Sequence, residues 1–325
     1  MEGRKVVVVG YHAAELLDIA CVTSAFLAAN VQTRRPYYDV SLATPGGRPI
    51  TCGSGLALQG QQTLERLTGP LDTLIVSGGP GHEDAAANTV IVGHVRRLAR
   101  ESRRVASVCT GASILAATGL LDGRRATTHW RFASELAARH PAITVDPDPI
   151  FIRDGGVSTA AGVTSALDLT LALVEEDHGP TLARDIARYL VTYLQRPGNQ
   201  AQMSMFTAPR PTSDGLVDRI VEHITTHLAG DLTAAVLAAA AGVSERHLTR
   251  LFLKHLGLPP GRYVRRVRTE AAAHLLVTTR LPVSSIATRC GFGTPETLRQ
   301  AFTTRYGISP ARYRQTQTRP LTTAL

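Results

Sequence analysis

Cys109 lies at the junction between a predicted strand and a predicted helix, a position where a thiol can do chemistry. The residues before it, Val105 to Val108, form a short apolar run, and Gly111 begins a stretch of small residues. This layout is that of a nucleophile elbow, which exposes the side chain at a sharp turn above a helix N-terminus. The amides and dipole of that terminus favour a thiolate. The pattern predicts three possible roles for Cys109: a wall of an effector pocket, an inert relic, or a reactive or redox-sensing thiol.

Other residues of the N-terminal half complete a candidate effector pocket around this cysteine. Gly78 and Gly79 follow the predicted strand Leu71 to Ser77, where their N–H groups could form an anion site. Asp18 is interpreted as a hydrogen-bond acceptor of the pocket. His129 either lines the pocket or is a hydrogen-bonded, partly buried histidine. The predicted pocket consists of Asp18, Gly78, Gly79, Cys109, Thr110 and His129.

A second group of chemically informative residues lies on short helices in the C-terminal third. Ala234 to Ala241 predicts a helix, Gly242 and Val243 a turn, and Ser244 the cap of a second helix that ends near His255. One face of this second helix is apolar, and the other is polar and free to enter a DNA groove. Arginine suits that role because its planar fork binds guanine or phosphate. The predicted outward residues are Arg246, Thr249 and Arg250.

The same arrangement occurs a second time further along the chain. Ile286 to Gly293 predicts a helix and a turn, followed by Thr294 and by Pro295 at the first helical position. Between the two copies, Gly261 to Thr278 predicts one longer helix. Two helices on such a spacer would meet successive major-groove segments about 34 Å apart. The outward residues predicted for the second copy are Pro295, Glu296, Arg299 and Gln300.

The charge distribution points to the same third of the chain. Residues 1–209 hold 19 basic and 19 acidic side chains, whereas residues 210–325 hold 16 and 7, so the whole net charge of +9 lies in the last third. Because residues 1–209 are neutral and residues 210–325 are basic, we expect only the C-terminal part to bind a polyanion such as nucleic acid. The four cysteines show no metal-ligand spacing, and we expect neither a metal nor a cofactor.

These elements predict two domains joined by a linker. Residues 1–195 alternate apolar strands with helices, which indicates a flavodoxin-like α/β domain with a mostly parallel sheet between helices. Residues 196–213 are rich in proline and polar residues and predict the linker. Residues 214–325 predict an all-α domain with two helix-turn-helix units. No run approaches the roughly 20 uninterrupted apolar residues of a membrane span, so we expect a cytoplasmic protein with no membrane contact.

The C-terminal residues resemble the AraC/XylS family of transcriptional regulators. The likeness spans roughly Asp231 to Arg314 and rests on the segments Val243–Phe252, Gly291–Phe302 and Gly307–Arg314. The resemblance implies that the second helix of each helix-turn-helix unit, here called the reading helix, contacts bases through its outward residues. It also implies that the second helix of each unit lies in the major groove.

The N-terminal residues resemble the ThiJ/PfpI branch of the class I glutamine amidotransferase-like fold. This likeness covers roughly residues 5–195 and rests on Val105–Ala116, Leu120–Trp130 and Thr159–Asp168. The two domains in this order are typical of the GlxA-like regulators. In that family the front domain resembles a degenerate enzyme used for sensing and dimerisation.

An enzymatic alternative stays open at this point. Proteolytic relatives place a histidine directly after the cysteine, and here that position is Thr110, which argues against proteolysis and amidotransfer. Some hydratases of the branch pair the cysteine with a threonine and an aspartate, and Cys109, Thr110 and Asp18 match those positions. However, Ile19–Val22 departs from the Ala-Gly-Pro-like turn that commonly follows the aspartate.

We therefore expect a sequence-specific transcriptional regulator that is not an enzyme. Its expected partners are double-stranded promoter DNA, a small polar or nitrogen-containing effector and a second copy of the chain, with RNA polymerase as a further candidate. The alternatives are a cysteine-dependent hydratase or hydrolase with an attached DNA-binding domain, and a constitutive architectural DNA-binding protein.

Overall fold

The computed structural model describes residues 3–192, 196, 198, 202 and 215–318. The chain forms two compact units, Met1–Gln202 and Met203–Leu325. Most of the predicted linker 196–213 lies outside the described residues. Its first residue, Arg196, is held inside the first unit, where its backbone N–H and guanidinium donate to the carboxylate of Asp168 at 2.6–2.9 Å.

The first unit is an α/β fold whose main sheet has seven strands in the order β10-β11-β7-β6-β1-β2-β5. All neighbours pair in parallel except β10 and β11, which confirms the predicted mostly parallel sheet. The strands are β1 Arg4–Val9, β2 Tyr38–Thr44, β3 Ile50–Thr51, β4 Ala57–Leu58, β5 Gln62–Thr63, β6 Leu71–Val76, β7 Ser102–Val108, β8 Arg125–Ala126, β9 Thr144–Val145, β10 Phe151–Asp154 and β11 Val157–Ala160. The helices are α1 Leu16–Thr33, α2 His82–Ala87, α3 Thr89–Arg100, α4 Gly111–Ala117, α5 Ala133–Arg139, α6 Thr164–His178 and α7 Pro180–Tyr189.

The centre of this sheet is completely covered by helices. Val6 to Val9 of β1 are at most 2% exposed, as expected for a parallel strand with helices packed against it. Helices α1, α6 and α7 pack on one another, and α2, α3 and α4 form a second group. Because parallel strands run in one direction, the segments after β1, β6, β7 and β11 meet at one edge of the sheet.

Helix α1 begins later than the sequence predicts. The residue pattern from Ala13 to Ala29 predicts one helix over this range. Ala13 has a φ of +58°, however, and the helix begins at Leu16 after a cap by the Glu15 side chain. Among the described residues, α1 is long and apolar enough to cross a membrane by length and composition. In the fold, its residues Val22 and Phe26 are buried in the core of the unit.

The second unit is all-α in the part that the structure describes, which confirms the predicted fold class. Its helices form two hydrophobic cores, one around α8–α10 and one around α12–α14. The long helix α11 contributes Tyr263, Val264 and Val267 to the first core and Ala272 and Leu276 to the second. The helices are α8 Gly215–Thr226, α9 Ala234–Ala240, α10 Glu245–Leu256, α11 Pro260–Thr278, α12 Val283–Arg289, α13 Pro295–Tyr306 and α14 Pro310–Thr318.

Candidate functional site

Helices α9 and α10 form the first helix-turn-helix unit. Gly242 turns the chain between them with a φ of +67°, a conformation that glycine adopts without strain. The Ser244 hydroxyl then accepts the His247 amide at 3.2 Å and caps α10. Leu248 and Phe252 on the inner face are fully buried, so α10 has one fixed orientation on the core.

The opposite face of α10 carries the residues predicted to contact DNA. Arg246 and Arg250 are exposed, and Thr249 is half-buried. The Arg250 guanidinium lies 3.0 Å from Nδ1 of His247, one turn back on the same helix. In this contact Nδ1 is the acceptor, because a guanidinium can only donate.

Helices α12 and α13 form the second helix-turn-helix unit, which is built in the same way. Gly291 has a φ of +72°, and a Cβ at this position would overlap with the Leu228 carbonyl oxygen. Thr294 and Thr297 form a reciprocal capping box at the start of α13, and Pro295 occupies the first turn. The glycine turn and the capping box fix the start of α13. Leu298 and Phe302 on its inner face are fully buried.

The outward face of α13 also carries the predicted residues. Pro295, Glu296, Arg299 and Gln300 are all exposed. Arg299 donates to the carboxylate of Glu296, which lies three residues earlier on the helix. The two reading helices therefore present polar faces of similar placement but different charge.

Arg268 of α11 fastens the connection between the two helix-turn-helix units. Its guanidinium donates to the Leu228 carbonyl at 2.9 Å and to the Gly230 carbonyl at 2.6 Å. Both acceptors lie between α8 and α9. The same Leu228 carbonyl packs against Gly291 in the second helix-turn-helix unit. The sequence does not indicate this role of Arg268, since a bond from an arginine to a backbone carbonyl leaves no pattern of residues.

In the first unit of the fold, Cys109 has the backbone of a nucleophile elbow. Cys109 lies between the end of β7 and the start of α4, and its φ is +54°. The hydroxyl of Thr110 accepts the Gly79 N–H at 2.9 Å and lies 3.1 Å from the Gly79 carbonyl, to which it can donate. Gly78 lies so close to Cys109 that a Cβ on it would overlap with the cysteine Cβ. The structure thus brings Gly78, Gly79, Cys109 and Thr110 together.

Asp18 joins this cluster from the first turn of α1. Its carboxylate accepts the Gly78 N–H at 3.0 Å and the Val163 N–H at 2.8 Å, and the residue is 1% exposed. Burial raises the pKa of this carboxyl to about 7, although the two backbone N–H groups act in the opposite direction. Asp18 therefore holds its proton to a higher pH than an exposed aspartate does.

Burial also dominates the chemistry of the Cys109 thiol. The residue is 7% exposed, and its burial, with a smaller contribution from Asp18, raises the thiol pKa to about 12. The N-terminus of α4 was expected to favour a thiolate, but in this structure the loss of solvation outweighs that effect.

The remaining predicted pocket residue, His129, makes contacts outside this cluster. Its Nδ1 accepts the Arg131 amide at 3.3 Å, and its ring lies against Trp130 and Phe132. Within the described residues, no hydrogen bond or ring contact joins His129 to Cys109 or Asp18. Its neighbour Thr128 is the residue that reaches the elbow, because its hydroxyl donates to the Cys109 carbonyl at 2.8 Å.

Comparison with known proteins assigns both parts of the chain. Residues 4–176 match the DJ-1/PfpI family, and residues 237–316 match a helix-turn-helix domain. The HTH-type transcriptional regulator GlxA of Rhizobium meliloti (strain 1021) is 32% identical over 302 residues, which cover 92% of this chain and 92% of that protein. The chain belongs to the GlxA-like HTH-type transcriptional regulators.

Two further comparisons bear on the front unit of this GlxA-like regulator. A crystal structure of a ThiJ/PfpI family protein from Pseudomonas syringae is 26% identical with a TM-score of 0.57, and covers 68% of this chain and 88% of that one. An isonitrile hydratase from Pseudomonas putida is 38% identical over 128 residues, which cover 39% of this chain and 54% of the enzyme.

The geometry of the front unit supports binding more readily than nucleophilic catalysis. A thiol nucleophile needs a lowered pKa or a base in hydrogen-bond contact, and burial of Cys109 acts against the first. The groups that surround it are three backbone N–H donors, a threonine hydroxyl and a carboxyl that can carry or release a proton. This set can hydrogen-bond a small polar molecule in either charge state.

Proposed function

We propose that this GlxA-like regulator binds promoter DNA through the outward faces of α10 and α13. The observation that carries the proposal is the repeated pairing of a fully buried inner face with an exposed polar face on two capped helices of the basic unit. The proposed contacts are Arg246, Thr249, Arg250, Pro295, Glu296, Arg299 and Gln300.

Selection of duplexes from a randomised pool by the full-length chain tests this proposal. We expect a specific site to be enriched, and we expect Arg250→Ala to weaken binding to that site by about 1 to 3 kcal/mol if the arginine contacts a base. Lys254→Ala is a control on the same helix, since this exposed lysine is not among the proposed contacts. Recovery of no enriched sequence would contradict the proposal.

We further propose that a small molecule bound near Cys109, Asp18 and Gly78–Gly79 controls DNA binding. The cluster is almost closed, and both oxygens of the Asp18 carboxylate already accept backbone N–H groups. A ligand must therefore replace one of these bonds, and an amine or amide could supply the donor. Such a ligand changes DNA binding only if it prefers one of two arrangements of the protein.

Thermal denaturation with a panel of small amines, amides and amino acids tests the effector site. A true effector should raise the melting temperature of the wild-type chain, should fail to do so with Asp18→Asn, and should change affinity for the enriched duplex. Binding that leaves DNA affinity unchanged would argue against control by this site.

The chain is proposed to act in the cytoplasm as a homodimer, with RNA polymerase as a further partner, and not as an enzyme. The raised pKa of Cys109 supports the last point, because little thiolate is present at neutral pH. Turnover of an isonitrile that is lost in Cys109→Ser would contradict it. Light scattering of the full-length chain with and without duplex tests the dimer.

A further inference from the structure

The two reading helices are internal copies whose positions correspond one by one. Each N-cap hydroxyl accepts the amide three residues later, Ser244 from His247 at 3.2 Å and Thr294 from Thr297 at 3.1 Å. The buried inner positions follow the same offset of fifty residues, so that Leu248 corresponds to Leu298 and Phe252 to Phe302. Every outward residue of α10 therefore has a structural counterpart on α13.

The two outward faces differ in formal charge. Over four corresponding positions, α10 has two arginines and one glutamate and a net charge of +1, whereas α13 has one arginine and one glutamate and is neutral. The sign is reversed at one position, since Glu296 stands where α10 has Arg246. The corresponding sets are Glu245, Arg246, Thr249 and Arg250 on α10, and Pro295, Glu296, Arg299 and Gln300 on α13.

The arginines of the two faces also have different partners. Arg299 is paired with the carboxylate of Glu296, although both side chains are more than half exposed at 62% and 54%. Arg250 contacts Nδ1 of His247, and neither Arg246 nor Arg250 has an ion pair with a described residue of 215–318. A phosphate can therefore approach the α10 guanidiniums without meeting a paired carboxylate, whereas a phosphate near Arg299 also meets the carboxylate of Glu296.

A carboxylate beside Arg299 changes which DNA groups the pair can accept. Glu296 is repelled by phosphate but accepts a hydrogen bond from cytosine N4, and Arg299 donates to O6 and N7 of guanine. Residues three apart on a helix have Cβ atoms about 5–6 Å apart, which fits neighbouring base pairs about 3.4 Å apart in the groove. Only a matching sequence compensates both charges at once.

We propose that the two helix-turn-helix units divide the work of DNA binding. This inference rests on the proposed function and deepens it. Arg246 of α10 supplies salt-dependent affinity for any duplex through a phosphate contact, and Arg250 adds one base contact. Most of the discrimination comes from α13, through a cytosine read by Glu296 beside a guanine read by Arg299. Glu296 is the specificity-determining residue, because its carboxylate repels the phosphate that Arg299 would otherwise bind.

Salt titrations of the full-length chain on two duplexes separate these roles. One duplex is the sequence that the wild-type chain enriches from a randomised pool, and the other is a scrambled duplex of the same composition. Arg246→Ala should reduce the slope of log affinity on log salt by about one, with the ratio between the duplexes unchanged. Arg299→Ala should leave the slope in place and reduce the ratio by about tenfold to a hundredfold.

Glu296→Ala gives the sharpest result, because it frees Arg299. We expect it to tighten binding to the scrambled duplex, to steepen the salt slope by up to about one, and to reduce the ratio between duplexes. Glu222→Ala on α8 is the control, since it removes one exposed carboxylate from the same unit without touching a reading helix. Far-UV circular dichroism establishes that each variant is folded.

Two patterns would overturn the division of work while leaving the proposed function intact. In the first, Glu296→Ala and Glu222→Ala change the salt slope and the ratio equally, so that only net charge matters. In the second, Arg299→Ala reduces the slope as much as Arg246→Ala does and leaves the ratio unchanged. A wild-type chain that enriches no duplex would instead contradict the proposed function itself.

Discussion

At the scale of single residues, the environment of Asp18 and Cys109 decides their chemistry more than their type does. Both are almost fully buried, and burial raises the pKa of each beyond what nearby hydrogen bonds can offset. The structure brings Asp18, Gly78, Gly79, Cys109 and Thr110 together, and their role as an effector pocket stays a prediction. The residue pattern could not predict the pKa values, because these depend on how tightly the surrounding segments close over the site.

The raised pKa of Asp18 predicts that the α/β unit loses stability as the pH rises. The carboxyl binds its proton with a pKa of about 7 when folded and about 3.9 when unfolded, so its contribution is complete below about pH 4 and is lost through pH 7. We expect the free energy of unfolding to decrease across this window by about 2 to 4 kcal/mol, measured by urea denaturation.

Asp18→Asn should flatten this pH dependence, because the amide does not titrate. Asp39→Asn, at an exposed aspartate of β2, is the matched control and should keep the slope of the wild-type chain. The account of Asp18 is wrong if the Asp18→Asn variant shows the same decrease between pH 4 and pH 7 as the wild type.

The raised pKa of Cys109 predicts slow alkylation. At neutral pH the thiol is almost entirely protonated, so its labelling by iodoacetamide should be slower in the folded chain than in urea by orders of magnitude. Site-resolved mass spectrometry separates Cys109 from Cys21, which is half-buried and provides an internal comparison. Labelling of folded Cys109 as fast as that of an unfolded thiol would contradict this prediction.

At the scale of elements, caps and turns explain where the reading helices begin. Ser244 and Thr294 were recognisable as caps from sequence, and both bonds are present. The start of α1 was not predicted correctly, since the positive φ of Ala13 comes from bonds of this loop to Thr51 and Gly81. The sequence pattern does not indicate strand β11, because Val157–Ala160 is short and contains two hydroxyl residues that alternation rules treat as polar.

The two turn glycines should differ in their tolerance of a side chain. Both have positive φ, but a Cβ on Gly291 would overlap with the Leu228 carbonyl, whereas Gly242 has open space around it. We expect Gly242→Ala to cost about 1 to 2 kcal/mol from the left-handed conformation alone, and Gly291→Ala to cost clearly more.

Thermal unfolding of both variants in the full-length chain measures the difference. Gly242→Ala serves as the control, because it carries the same conformational cost without the overlap. Equal melting temperatures for the two variants would show that the contact between Gly291 and Leu228 does not stabilise the second helix-turn-helix unit.

At the scale of the whole molecule, the separation of charge agrees with the separation of structure. The neutral residues 1–209 contain the α/β unit, and the basic residues 210–325 contain the two helix-turn-helix units. Sequence alone therefore indicated both fold classes and the order of the units. It did not reveal the link from Arg268 to Leu228 and Gly230, which depends on backbone groups brought together only by folding.

The most direct test of the account is methylation interference on the duplex that the full-length chain enriches. Two arginine-bearing helices in successive major-groove segments predict two groups of guanines whose N7 methylation prevents binding, about 10 base pairs apart on one face of the DNA. Arg250→Ala should remove guanines from one group and Arg299→Ala from the other. A single group that responds to both variants, or no guanine interference at all, would contradict the claim that both helices contact bases.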